Sequence, residues 1–69
     1  MINLRKNLKQ LRLKHDLTQK EMAELMKVST QFYGHIERGT RNCSQDHWHE
    51  LQIALKIPDE KMYMLIKKQ

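Results

Sequence analysis

The chain has 69 residues and carries 13 Lys and Arg against 8 Asp and Glu, a formal charge of +5. A chain this short builds one small core, burying only about 60% of the surface its unfolded form exposes, and leaves no room for a separate catalytic domain. Its one cysteine, Cys43, excludes an intramolecular disulfide and any zinc site built from paired CxxC groups.

The positive excess is unevenly placed. Arg5, Lys6, Lys9, Arg12, Lys14 and Lys20 stand against Asp16 alone in the first 20 residues, and the rest of the chain balances to zero. Such a field suits a polyanion, because Lys and Arg approaching phosphates release counterions; the duller alternative is a solvated basic helix face. The chain has no apolar run of roughly 18 residues, the length that reads as a membrane span. Its start, Met1-Ile2-Asn3-Leu4-Arg5-Lys6-Asn7, lacks the apolar stretch of a signal peptide. A cytoplasmic protein without membrane contact is expected.

The spacing of apolar residues predicts five helices and no strand. The first covers about residues 3–15, with Leu4, Leu8 and Leu11 on one stripe. The second, about 18–26, opens on Thr18, whose hydroxyl faces Glu21 across a capping box, and buries Met22, Ala23 and Met26. A break at Lys27-Val28-Ser29 precedes the third, about 29–38, which carries Phe32, Tyr33 and Ile36 and stops at Gly39. The fourth, about 44–56, is capped by Ser44 and buries Trp48, Leu51 and Leu55. Pro58 opens the fifth, about 59–67, which carries Met62, Leu65 and Ile66. The fold class is therefore all-α, a single domain over residues 1–69.

Two short helices joined by a tight turn, the second with a polar face, form the pattern of a helix-turn-helix. Leu17-Thr18-Gln19, Ala23-Glu24-Leu25, Val28-Ser29, Ile36-Glu37-Arg38-Gly39 and Arg41-Asn42 together resemble the Cro/CI-type, or Xre, helix-turn-helix family in type and spacing. Any one of these matches is weak, but together they cover nearly the whole chain. The resemblance implies a compact five-helix, lambda-repressor-like domain whose third helix enters the major groove of a double-stranded DNA operator.

It also implies site residues. Thr30, Gln31 and His35 match positions that face base edges, and the Gln31 carboxamide suits the N6 and N7 atoms of adenine. Gln19 matches a phosphate-bonding position at a helix start. Ser29 and Phe32 match positions near thymine methyls or the sugar-phosphate wall, and Arg41 and Asn42 lie where the family loop follows the backbone. Arg12 and Glu37 are implied to pair across the domain, fixing the third helix on the first. Solvated helix residues are the alternative for Thr30, Gln31, His35 and Glu37. Tyr33 stands where the family places a branched aliphatic residue and is read as core.

Departures accompany the likeness. Lys27 replaces a turn glycine, so it must adopt a left-handed conformation or alter the turn. Gln45 and Gln52 stand where core residues are frequent, and Ile53 where the family is charged. With Tyr63, Met64 or Ile66, Ile53 marks a candidate self-association surface. Cys43, in a position often held by proline, reads as an inert packed thiol in preference to a redox sensor. No metal site is expected, since His47 and His49, two apart, do not face one way on a helix and Cys43 falls in a loop. No cofactor and no catalysis are expected either, because no glycine-rich phosphate loop occurs, no paired carboxylates share a plausible cleft, and so small a domain leaves no room for a pocket.

The expected function is that of a small phage-type or mobile-element transcriptional regulator resembling Cro, acting as a homodimer on an inverted repeat and able to assemble on the DNA itself. The rival is a modulator that binds a second regulator protein through an aromatic third helix, since residues 28–37 contain no Lys or Arg.

Overall fold

The computed structural model describes residues 5–67, and Asn3 and Leu4 of the expected first helix lie outside them. Five helices follow in order: α1 (Lys6–Lys14), α2 (Gln19–Met26), α3 (Thr30–Arg38), α4 (Gln45–Leu55) and α5 (Asp59–Ile66). Among the described residues there is no strand. α2 packs on α3 and α4, α1 on α3 and α5, and α4 on α5, so α3 is held from two sides and keeps one face free.

The core gathers the residues that helical spacing selects: Leu8, Met22, Ala23, Met26, Tyr33, Ile36, Trp48, Leu51, Met62 and Leu65. Ile57, between α4 and α5, joins them. At roughly 25 cal/mol per Å² of apolar surface removed from water, burial of these side chains is the main force holding so small a domain together.

The helix starts are built unequally. Thr18 Oγ1 accepts from the Glu21 amide at 3.1 Å and Glu21 Oε1 accepts from the Thr18 amide at 2.8 Å, which completes a capping box. Ser29 Oγ accepts from the Phe32 amide at 3.1 Å and starts α3. Ser44 flanks α4 but its side chain makes no cap bond, so the expected hydroxyl cap is absent there. Pro58 precedes α5 as its cap residue.

The helix ends follow one scheme. Four helices close with a residue in the left-handed region: Asp16 (φ 61), Lys27 (φ 63), Gly39 (φ 79) and Lys56 (φ 54). At each, the amide of that residue bonds three residues back and the next amide bonds five back, as in Val28 N to Ala23 O and Ile57 N to Gln52 O, both 3.0 Å. Three of the residues that follow are Leu17, Val28 and Ile57, which pack on or in the core, the apolar contact this ending favours. Lys27 therefore keeps the turn and takes the left-handed conformation.

The first helix differs from expectation at its start. Arg5 is the cap residue of α1 and is 1% exposed. Its guanidinium donates to the carbonyls of Ile36 (2.6 Å), Ile66 (2.9 Å) and Arg41 (3.0 Å) and to Asn42 Oδ1 (3.1 Å), and lies 5.5 Å over the Trp48 ring. Arg5 is a tie rod between α3, the α3–α4 loop and α5, and its guanidinium is not available for surface contacts. Burial lowers its affinity for a proton, and the four acceptors supply what water would have.

Candidate nucleic-acid interface

α2 and α3 are joined by Lys27, Val28 and Ser29 alone, so the chain turns sharply and α3 is presented across α2. The exposed side of α3 is polar. Thr30, Gln31 and His35 are exposed, and together with Gln19, Gly34 and Arg38 they line one open depression. The spacing accounts for this: positions 30, 34 and 38 form one ridge of a 3.6-residue helix, and 31 and 35 the next.

The aromatic residues face the other way. Tyr33 is fully buried and Phe32 is half-buried against the core. The aromatic surface expected of a protein-directed third helix is thus reduced to the outer part of the Phe32 ring, because Tyr33 is wholly used to seat the helix. Phe32 offers only part of its ring to the outside, and Ser29 keeps its hydroxyl proton free while its oxygen caps α3.

Beneath this face, Glu37 is the anchor. Its carboxylate accepts from Arg12 Nε at 2.8 Å, the Tyr33 hydroxyl at 2.7 Å, Gln19 Nε2 at 3.2 Å and Arg12 Nη2 at 3.4 Å. Arg12 also donates to the Leu17 carbonyl at 3.0 Å, so one guanidinium spans α1, α3 and the turn into α2. Burial of Glu37 pushes its carboxyl up, but the hydrogen bonds from Arg12, Tyr33 and Gln19 outweigh it and hold the carboxyl below its ordinary range. Burial and the same carboxylate push the Tyr33 phenol far up.

Gln19 is therefore doubly placed. One of its two amide hydrogens goes to Glu37, and the other remains for a ligand on the α3 side. Lys20, next to it at the α2 start, is exposed. Glu21 already sets a carboxylate at that helix start, so the positive end of the α2 dipole is met from within the chain.

The cationic surface is smaller and differently composed than the sequence suggests. Arg5 and Arg12 are spent inside the domain, leaving Lys6, Lys9, Lys14 and Lys20 exposed in the first 20 residues. Lys6 and Lys9 line a second depression together with Arg38. Arg38 is the residue that sequence reasoning passed over: it lies just outside the cation-free stretch 28–37, yet its guanidinium folds back over Gly34, 3.4 Å from His35 Nδ1. Four-residue spacing from Gly34 was the available signal, since long helical side chains point back over the preceding turn.

His35 has two partners that demand opposite states. The Thr40 hydroxyl donates to the His35 carbonyl at 3.2 Å, so its oxygen accepts from Nδ1 at 3.1 Å only if Nδ1 carries a proton. Arg38 can donate to Nδ1 only if it does not. The ring thus offers its outer nitrogen as acceptor in one case and as donor in the other.

The loop after α3 is turned inward in part. The Arg41 carbonyl and Asn42 Oδ1 both accept from Arg5, and Asn42 Oδ1 also accepts from the Cys43 amide, leaving the Arg41 side chain and the Asn42 amide group outside. Burial pushes the Cys43 thiol up to about 11, with Arg5 opposing it. His47 Nδ1 donates to the Met26 carbonyl at 2.9 Å and so secures α4 to the end of α2. Among the described residues no group of side chains is arranged to hold a metal ion, and no helix is long and apolar enough to cross a membrane.

The sequence profile of the helix-turn-helix family matches residues 8–61, most of the chain. No curated protein matches it.

Proposed function

Because the chain belongs to the Cro/CI-type helix-turn-helix family, one of DNA-binding transcription regulators, we propose that it binds a specific operator by laying α3 in the major groove. The observation that carries this reading is the convergence of Thr30, Gln31 and His35 on one exposed polar face, backed by the rigid Glu37 cluster. Bases are read by groups held in fixed geometry, and the cluster fixes the helix they stand on. Gln19, Lys20, Ser29, Arg41 and Asn42 supply contacts to the sugar-phosphate backbone, and the exposed rim of Phe32 a methyl contact.

The longest dimension of the domain, 31 Å, is below one DNA turn of about 34 Å, so one copy spans one groove segment. We infer a two-fold dimer on an inverted repeat with half-sites about 10 base pairs apart. Tyr63, 66% exposed, and Met64, 43% exposed, are the apolar side chains that α5 offers for it. A phage or mobile-element origin and a repressor role accord with the likeness to Cro.

A salt series of mobility shifts tests the DNA reading. Affinity for a selected duplex should fall steeply with salt, as phosphate contacts require, and stay well above that for random DNA. Absence of binding to any duplex at low salt would refute it, and would turn attention to a regulator protein as the partner.

A further inference from the structure

The geometry points to Arg38 as a base-reading residue of this interface, a guanidinium laid across Gly34 that selects a guanine beside the bases met by Thr30, Gln31 and His35. The inference rests on the DNA-binding reading above and names a specificity residue and its base. A methyl group built on Gly34 would stand 3.3 Å from Arg38 Nη1, 3.6 Å from Nη2 and 3.8 Å from Cζ, and these are its three nearest neighbours. The fork thus lies close over the bare Gly34 position, in near-van der Waals contact with the place a methyl would take. Four residues of helix separate the two Cα atoms by about 6 Å, so the charge is carried back one turn into the depression lined by Thr30, Gln31 and His35.

Among the described residues Arg38 forms no salt bridge. Glu37, adjacent in sequence, is committed to Arg12, Tyr33 and Gln19. On its other side Arg38 shares a depression with Arg5, Lys6, Lys9 and that already bonded Glu37. The forked donors therefore seek acceptors outside, and a guanine edge presents two, O6 and N7, at the spacing a guanidinium matches. Lys6 and Lys9 beside it are placed for the neighbouring phosphates, a division of labour between point charges and a planar fork.

Selection from a random duplex pool decides the matter, run with the parent, Arg38→Ala and Gly34→Ala. The parent should enrich a site with a fixed guanine in each half. Arg38→Ala should lose roughly 10- to 100-fold against the parent site but little against sites changed at that guanine, leaving the other fixed bases unaltered. Gly34→Ala should melt higher than the parent, since alanine suits a helix better, while keeping the same base fixed, because the flexible fork need shift by only a few tenths of an ångström. If Arg38→Ala weakens all duplexes alike and the salt slope falls by about one, the contact is to phosphate and the inference is overturned. Unchanged affinity and preference would overturn it as well. If the parent enriches no sequence at all, the DNA reading itself has failed, and this inference with it.

Discussion

The Tyr33 hydroxyl donates to Glu37 Oε2 at 2.7 Å, one helical turn apart on the inner side of α3. Arg12 meets the same oxygen from α1 at 2.8 Å, so the helix that faces outward with Thr30, Gln31 and His35 is fixed from behind by a buried, fully bonded carboxylate. Arg12→Ala leaves that charge with Tyr33 and Gln19 alone and should cost about 3 kcal/mol or more, the penalty for breaking a buried pair. Tyr33→Phe keeps the ring and should cost about 1.5–3 kcal/mol, as expected for a hydrogen bond to a charged group. Urea titrations of both variants measure this.

The same carboxylate makes stability depend on pH with a definite sign. Its proton affinity is lowered in the folded state, so its contribution is fully present above the unfolded pKa of about 4.3 and is lost as pH falls through the lower folded value. Parent protein should therefore lose stability between pH 5 and the acid range more steeply than Glu37→Gln, although the variant is weaker at pH 7. Urea midpoints for both across that range check the difference; parallel curves would mean that Glu37 titrates normally.

Trp48 and Arg5 form a second unit, ring against guanidinium at 5.5 Å. Trp48→Ala should cost about 3–5 kcal/mol, comparable to the whole folding free energy of a domain this small. A circular-dichroism melt should find the variant largely unfolded at 37 °C. Arg5→Ala strands the carbonyls of Ile36, Arg41 and Ile66 and should be nearly as damaging, a result that a merely solvated basic residue would not give.

The helix ends supply a stabilising pair. Lys27 and Lys56 hold left-handed conformations that cost a non-glycine residue about 1 kcal/mol. Lys27→Gly and Lys56→Gly should each raise the melting temperature by a few degrees, and Gly39→Ala should lower it. At Lys27 the gain should come without loss of the turn, because the backbone already has the form glycine prefers.

Cys43, with its thiol pushed up to about 11, is almost wholly protonated at neutral pH. Alkylation by iodoacetamide at pH 7.5 should be far slower in native protein than in denatured protein. Equal rates would show a reactive thiol.

What was legible in the chain was what neighbouring residues decide. The Thr18–Glu21 box, the apolar stripes through Met22 and Met26 and through Trp48 and Leu51, and the closing Gly39 all follow from spacing within two turns, and each recurs in the structure. Arg5 was not legible, because its acceptors lie 31 to 61 residues away and a cation in a basic run looks solvated until those carbonyls converge. Gln52 stands where core residues are frequent, but its amide bonds the Ile57 carbonyl and the Asp59 carboxylate and ties α4 to α5. Asp16 and Lys56 close helices in a glycine's place, a choice visible only through Leu17 and Ile57, the apolar residues behind them. Arg38 escaped because only the folded helix shows its guanidinium lying back over Gly34 on the α3 face.

The central claim, that α3 reads bases through its polar face, is tested most directly by titrating parent, Gln31→Ala and Gln19→Ala on a selected duplex and on a random one. Gln31→Ala should lose about 1–3 kcal/mol on the selected site and much less on random DNA, whereas Gln19→Ala should weaken both alike. Equal losses for Gln31→Ala on the two duplexes would contradict the account, since a residue that costs the same on every sequence is not reading one.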